Sequence, residues 1–519
     1  MSASTSSGSS ASQSARRQAI LPLVGLLCNL GVIALALGTQ ASLVWTLILL
    51  LWLNALLFGV ARLSERAIFV AFLVAFFFLL LGREITVDFF HYEVIQAPPA
   101  QTRHLQLCLT LSLLGLLAGA LVASSWRARR RLLAEPTEAR LSPRLFADPS
   151  IVRCIYWVVL VLSLISVALR ARYVLANGYL SYYTEFSDLE DSSGSMYGLR
   201  RIEIMLPMVL AIYLGVFPPR RQVTAASAGW AVYLVLSLLT GQRSTFVGGA
   251  VMLLAYWIVR RHQDPPGTWR MRRGGKLVAA IAVPVVAIAL AAVESARGIG
   301  AVAADTANRN PILQMLYGQG VSSSVVRNAY TYADFIPRDW YTGEFLHSGV
   351  LARLLGYPVY HGNTLEHALH GGSFTHAYGY TLLGPQYFSG RGSGSSFIAE
   401  LFYDYGYAGV FLGGMIYGAI CIWGCALKPG QPLRNGLRLV IVTTLLWAPR
   451  GSATGFLTTW LSPSVLVALV GVAGLSLAAA LLRERGILDP PAASVRGTHR
   501  ARRTPPASLP MHARGTNAQ

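Results

Sequence analysis

Two arginines stand where apolar segments of the chain are interrupted. Arg243 lies in LSLLTGQRSTFVGG, which has the form of a turn between two helices. Arg450 lies in TTLLWAPRGSATGF, where Pro449 and Gly451 are expected to break a helix. A guanidinium binds phosphate through two parallel hydrogen bonds and stays charged at any physiological pH. Both arginines are therefore candidates for phosphate binding, and the alternative for each is an arginine that reaches the membrane surface or pairs with an acid.

Two carboxylates precede a long apolar segment in YFSGRGSGSSFIAELFYDYGYAGVFLGGMIYG. Glu400 and Asp404 are four residues apart, so they share one face of a helix. Two roles are open for Glu400: a general base acting on a substrate hydroxyl, or a partner that neutralises a buried arginine. Small residues at three- and four-residue steps permit close contact between membrane helices, and here they are Gly406, Gly409, Gly413, Gly414 and Gly418.

A second group of polar residues is expected to bind the substrate. Arg201 follows Arg200 at the start of an apolar segment, and adjacent helical residues point in different directions, so at most one of them faces a site; the alternative is that both anchor the helix at the lipid headgroups. The full group consists of Arg201, Arg327, Arg391, His367 and Asp404. The histidines around His367 do not form HExxH or a comparable ligand motif, and the five cysteines lack metal-ligand spacing. We therefore expect no metal and no cofactor.

The composition places these residues in a membrane protein. Of the 519 residues, 54% are apolar and 13% are charged. A helix needs roughly 20 apolar residues to cross a bilayer. The chain is therefore expected to be an all-α polytopic membrane protein of about twelve transmembrane helices, near 19–38, 42–60, 67–82, 105–123, 151–169, 202–217, 223–240, 245–260, 277–293, 406–427, 437–460 and 464–482.

The basic residues predict the orientation of these spans. If the N-terminus is cytoplasmic, 29 Lys and Arg with 7 Asp and Glu lie inside, against 14 with 16 outside. Basic residues are retained on the cytoplasmic side, so the net charge of +20 reports topology rather than nucleic-acid binding. The predicted organisation is a cytoplasmic disordered tail, nine transmembrane helices, a large periplasmic loop region, three transmembrane helices and a cytoplasmic disordered basic tail, at 1–18, 19–293, 294–405, 406–482 and 483–519.

Three of these features together resemble one family. They are the TGQRS turn with Arg243, the long outer loop before the last three spans, and the segment SSFIAELFYDYGYAGVFLGGMIYG that follows it. The chain resembles the bacterial oligosaccharide repeat-unit polymerases, the Wzy-type O-antigen polymerases. The resemblance implies a GT-C-like, metal-independent glycosyltransferase of the bacterial inner membrane, working on its periplasmic face on undecaprenyl-pyrophosphate-linked oligosaccharides. Glu400, Arg243 and Arg450 would then be its catalytic residues.

Other functions share parts of this pattern. An O-antigen ligase or another lipid-linked glycosyltransferase has the same topology and the same need for arginine, and differs in its acceptor. A transporter or flippase of lipid-linked sugars usually shows internal repeats and ionisable residues near the middle of the membrane. No convincing repeat is present here. A structural subunit of an export complex is a further alternative, and the expected partners of a polymerase are a chain-length regulator and the flippase of the same pathway.

Overall fold

The computed structural model describes residues 7–93, 97–133, 146–177, 194–265, 268–269 and 310–487. Within these ranges the chain is helical and contains no β-strand. Eight helices are long and apolar enough to cross a membrane, and they correspond to eight of the predicted spans: Pro22–Thr39, Leu43–Ala61, Leu63–Phe90, Pro99–Arg130, Pro149–Asn177, Arg220–Leu239, Phe397–Gly424 and Pro463–Glu484. The chain is thus a multi-pass membrane protein.

The other four predicted spans have different outcomes. Residues 202–215 of the span predicted at 202–217, and all of 245–260, fall in helices of 22 and 21 residues, Gly194–Gly215 and Arg243–Gln263. Residues 277–293 lie outside the described residues. The run predicted as one span at 437–460 is instead a series of short helices, because the backbone leaves the α-helical hydrogen-bonding pattern repeatedly: Pro432–Val440, Val442–Leu445, Ala448–Arg450 and Gly455–Trp460.

The two ends of the chain are described unequally. The first helix is Ser7–Thr39, so it begins before residue 19, where the apolar run starts. The last helix ends at Glu484, and most of the tail predicted as disordered, residues 488–519, lies outside the described residues.

Glycines bring two of the long helices into backbone contact. A Cβ atom added to Gly119 of Pro99–Leu133 would lie 1.9 Å from the Met415 carbonyl oxygen of Phe397–Gly424. One added to Gly418 would lie 2.1 Å from the Leu116 carbonyl oxygen. Any larger side chain would push these helices apart, which is the reason small residues recur at such contacts.

Helix Phe397–Gly424 changes direction at Gly406. This residue has φ +63° and ψ −158°, a conformation that glycine adopts without steric cost and other residues rarely adopt. The break separates the turns that carry Glu400 and Asp404 from the long apolar part of the helix. We refer to Phe397–Gly424 as the kinked helix.

The region between residue 310 and the kinked helix folds into short helices on the ends of the long ones. Its α-helices are Pro311–Gln319, Ser322–Thr331, Gly349–Leu355, Leu365–His370 and Phe374–Leu383. Two 3₁₀ segments, Tyr341–Leu346 and Gly384–Ser389, connect them. The segment from 294 to 309 is outside the described residues, and the remainder of the predicted loop is an ordered helical cap.

Candidate functional site

Glu400 of the kinked helix fixes the loop that follows Arg450. Only 1% of Glu400 is exposed. Its Oε1 accepts a hydrogen bond from the Ser395 hydroxyl at 2.5 Å, and its Oε2 accepts one from the Ala453 backbone N–H at 2.8 Å. The Tyr417 hydroxyl, from the same helix, donates to the Ala453 carbonyl oxygen at 2.6 Å. Both backbone groups of Ala453 are thus bound to one helix.

Arg450 lies at the end of a 3₁₀ turn, Ala448–Arg450. Its backbone N–H donates to the Trp447 carbonyl oxygen at 2.8 Å, and Gly451 then continues in an extended conformation. The residue is exposed. Since Ala453 is fixed three residues later, the segment that follows the Arg450 turn is attached to the kinked helix.

Arg243 is the first residue of helix Arg243–Gln263 and is half-buried. That helix runs antiparallel to the segment leading to Arg450: Gln263 donates to the Leu427 carbonyl oxygen at 3.0 Å, and a Cβ on Gly248 would lie 2.9 Å from the Thr443 carbonyl oxygen.

The contact between Gly248 and Thr443 shows where Arg243 and Arg450 lie along the helix axis. Arg243 precedes Gly248 by five residues, about 7.5 Å of helix. The Ala448–Arg450 turn begins five residues after Thr443. Because the two segments are antiparallel, this turn and Arg243 lie on the same side of the contact between Gly248 and Thr443. The structure therefore brings Arg243, Arg450 and Glu400 to the same end of the helix bundle.

Asp404 anchors the 3₁₀ segment Tyr341–Leu346 onto the kinked helix. It accepts hydrogen bonds at 2.7 Å from both the backbone N–H and the hydroxyl of Thr342, and one at 3.3 Å from the Tyr341 N–H. These hydrogen bonds indicate that Asp404 positions the 3₁₀ segment.

The same 3₁₀ segment carries Glu344, which the sequence analysis did not single out. Glu344 is half-buried, and its carboxylate interacts electrostatically with that of Glu400. The segment also packs against helix Gly455–Trp460, just beyond the Arg450 turn. No spacing in the sequence relates Glu344 to Glu400, because only the folded helical cap brings them together.

Arg327 forms a buried ion pair. It is 4% exposed, and its guanidinium pairs with Glu84 of helix Leu63–Phe90. The Ser323 hydroxyl donates to the other Glu84 oxygen at 2.6 Å. Arg327, which the sequence predicts to bind substrate, thus attaches helix Ser322–Thr331 to a long helix.

Arg200 and Arg201 point in different directions, as adjacent residues of a helix do. The Arg200 guanidinium lies 3.1 Å from a carboxylate oxygen of Glu203, and Arg201 is exposed with its guanidinium 4.6 Å from the centre of the Tyr197 ring.

Glu203 is the centre of a buried polar cluster that the sequence analysis missed. It accepts hydrogen bonds from the Ser166 hydroxyl at 2.7 Å and from the Tyr233 hydroxyl at 3.0 Å, and it pairs with Arg170. A carboxylate inside an apolar run is the signal that could have revealed it, because such a group requires a partner.

His367 and Arg391 belong to a separate part of the helical cap. His367 Nδ1 lies 2.8 Å from the Gly362 carbonyl oxygen, and its ring stacks on His376 with the ring centres 3.6 Å apart. Arg391 is exposed and donates to the Gln386 side-chain oxygen at 3.2 Å.

The stacked histidines predict a loss of stability in acid. Burial, together with the charge of His367, lowers the pKa of His376 to about 4. The unfolded chain takes up this proton near pH 6.5, so the stabilising contribution is complete above pH 6.5 and declines as the pH falls towards 4. We expect His376→Gln to lose less thermal stability between pH 7.5 and pH 5 than the wild type, measured by circular dichroism. The matched control is His361→Gln, an exposed histidine; equal losses in both variants would contradict the assignment.

Among the residues that the structure describes, no group of three or more His, Cys, Asp or Glu side chains could hold a metal ion. The ordered polar groups at the Arg243 end are instead guanidinium groups and carboxylates, an arrangement suited to phosphate and hydroxyl chemistry.

Comparison with known families gives a match over most of the chain. The profile of the O-antigen polysaccharide polymerase Wzy family matches residues 21–480, from the first apolar helix to near the end of the last. Comparisons with curated proteins and with solved structures gave no match. The match covers most of the sequence, including Arg243, Glu400 and Arg450. The chain belongs to the O-antigen polysaccharide polymerase Wzy family.

Proposed function

We propose that the protein joins undecaprenyl-pyrophosphate-linked oligosaccharide repeat units into O-antigen or a related exopolysaccharide. The reaction takes place at the periplasmic face of the bacterial inner membrane, with both chain termini in the cytoplasm. Family membership supports the polymerase activity. The observation that carries the site is the pair of hydrogen bonds through which Glu400 and Tyr417 fix Ala453, three residues beyond the exposed Arg450.

The chemistry follows from what guanidinium groups do for a leaving phosphate. A hydroxyl of the acceptor sugar attacks the anomeric carbon of the growing chain, and the new glycosidic bond forms as the bond from that carbon to the pyrophosphate oxygen breaks. The electron pair leaves on the pyrophosphate. Arg450 and Arg243 bind that oxygen and its neighbours, and they stabilise the charge most strongly when it develops in the transition state. A rigid turn favours this role because the donors need no rearrangement.

The hydroxyl proton passes to a carboxylate. Glu400 is enclosed, and each of its oxygens already accepts a hydrogen bond within the protein, so we assign it to positioning the Arg450 turn. Glu344 is the half-buried carboxylate beside it, and a base must come within hydrogen-bond distance of the proton that it removes. We therefore place Glu344 as the general base.

Exposed aromatic rings beside the kink provide a surface for sugars. The Trp340 indole N–H donates to the Tyr405 hydroxyl, and that hydroxyl lies 2.8 Å from the Thr342 hydroxyl. Both rings are exposed. Tyrosine and tryptophan combine an apolar face with a polar edge, as a sugar ring does. Arg391 and His367, further along the cap, would contact the glycan away from the reacting bond, and Arg201 would contact the lipid headgroup region.

A strain lacking the gene tests this proposal against the alternatives. We expect it to display a single repeat unit on its surface acceptor and no longer chains, because the reacting groups act on substrate that has already crossed the membrane. Expression of the wild-type gene should restore the full range of chain lengths on a gel of the surface glycan.

The other functions give different patterns in the same strain. Loss of a flippase would leave no repeat unit on the surface. Loss of a ligase would leave long chains on the lipid carrier. Either pattern would overturn the polymerase assignment, and the chain-length regulator and flippase expected as partners remain intact in this experiment.

A further inference from the structure

Arginines from three segments converge at the other end of the kinked helix, far from Glu400. Gly424 marks the junction: a Cβ there would lie 2.7 Å from the Ile68 side chain and 3.6 Å from the Arg438 carbonyl oxygen. The Ile68 N–H also lies 3.4 Å from the Cys425 sulfur. We refer to the arginines around this junction, Arg66, Arg127, Arg434 and Arg438, as the basic cluster.

Arg438 is the most enclosed member of the basic cluster. It is 3% exposed, donates to the Ala426 carbonyl oxygen, and lies with its guanidinium 5.1 Å from the centre of the Trp423 ring. Its Nε has no hydrogen-bond partner. The charges that act on it are those of Arg434 and Arg127, and within the described part of the chain no carboxylate pairs with it.

Arg66 repeats the arrangement on a neighbouring helix. It is 6% exposed, donates to the Phe58 carbonyl oxygen at 2.5 Å, and lies 3.6 Å from the centre of the Phe58 ring. Its Nε also has no hydrogen-bond partner. The charges that act on Arg66 are those of Arg62 and Glu65.

The carbonyl contacts explain only part of this arrangement. An arginine that caps the carboxyl end of a helix satisfies a free carbonyl group, and both Phe58 and Ala426 lie near such ends. A buried cation still requires an anion or water, and neighbouring cations increase the cost. Glu65 is the carboxylate whose charge acts on Arg66, and among the described residues no carboxylate pairs with Arg438. A phosphate group has several acceptor oxygens and a negative charge, so it would provide both the hydrogen-bond acceptors and the counter-charge that a buried guanidinium requires.

The position in the fold indicates where the phosphate comes from. The basic cluster lies where Pro99–Leu133 and Phe397–Gly424 end, which is the depth of lipid headgroups for helices that span the membrane. The excess of basic residues assigns this end to the cytoplasmic leaflet, where anionic lipids attract such groups. We propose that the basic cluster binds the phosphate of an anionic phospholipid headgroup. This site is independent of the glycan chemistry at the opposite end.

Lipid retention by the purified full-length protein tests the proposal. The protein is reconstituted in phosphatidylcholine nanodiscs containing phosphatidylglycerol, and the lipids that stay bound are counted by native mass spectrometry. We expect the wild type to prefer phosphatidylglycerol. Arg438→Gln should weaken this preference about tenfold, since it removes charge-assisted hydrogen bonds to the phosphate. Should Arg438→Gln fail to fold, the exposed Arg434→Gln should lower the preference several-fold.

The matched control is Arg221→Gln, an exposed arginine on the same predicted side but outside the basic cluster. It should keep the wild-type preference. Equal retention by the wild type and both cluster variants would overturn the proposal, as would an equal loss in the Arg221→Gln control. A titration with inorganic phosphate separates the two sources: occupation of the site by free phosphate without any lipid preference would also overturn it.

Discussion

Arg450→Ala is expected to abolish chain growth in a protein that still folds and inserts. The side chain is exposed at the end of its turn, so truncation leaves no buried cavity. Loss of a donor that stabilises a developing charge lowers the rate constant by roughly 10²- to 10³-fold. Arg450→Lys should remain badly impaired, since an ammonium group does not reproduce the paired hydrogen bonds of guanidinium. Arg243→Ala and Arg243→Lys should behave in the same way. Glycan length in the complemented deletion strain is the measurement.

The matched control for these variants is Arg353→Ala, which changes an exposed arginine of the helical cap. It should support normal chain lengths. Full-length glycan from Arg450→Ala or Arg243→Ala at normal protein levels would refute pyrophosphate binding by that residue. The alternative, an arginine that merely reaches the membrane surface, would then explain its position.

Arg327→Ala is expected to destabilise the protein by about 3–5 kcal/mol. The substitution leaves Glu84 charged, enclosed and without its cation, which costs more than the intact pair contributes. Helix Ser322–Thr331 would lose its main polar attachment to Leu63–Phe90. Thermal unfolding of the purified variant, with the amount of protein in the membrane, measures the effect.

A double variant separates stability from substrate binding. Glu84→Leu with Arg327→Met removes both charges and replaces them with apolar groups, so most of the lost stability should return. If Arg327 only positions its helix, the double variant also regains chain growth. A stable double variant that makes no polymer would show that Arg327 contacts the substrate, as the sequence predicts.

Local patterns predicted the membrane helices and the breaks between them. Apolar runs of about 20 residues located eight spans, because the bilayer imposes that length on any crossing helix. The turn before Arg243 and the interruption at Pro449 both followed from residues with restricted or permissive backbones. Short-range rules did not reveal that the span predicted at 437–460 falls in four short helices, which begin at Pro432, since that requires the surrounding helices as partners.

The partners of the buried charges could not be predicted in this way. Arg327 and Glu84 are 243 residues apart in the chain, and Glu400 and Ala453 are 53 apart. Hydropathy indicates that each charge needs a partner, but only the packing of the helices decides which one. For this reason the sequence predicts Arg327 as a substrate ligand without indicating its pairing with Glu84, and it does not relate Glu344 to Glu400.

The most direct test of the account is a reaction with defined components. The purified protein, in a bilayer, is given a synthetic undecaprenyl-pyrophosphate-linked repeat unit with no other enzyme present. We predict products longer than one unit and the release of one undecaprenyl pyrophosphate for every glycosidic bond formed. Glu344→Gln should slow this release, whereas Glu366→Gln, which changes an exposed carboxylate of the same cap, should not. An active preparation that moves the intact lipid-linked unit across the bilayer, with no new glycosidic bond, would contradict the account.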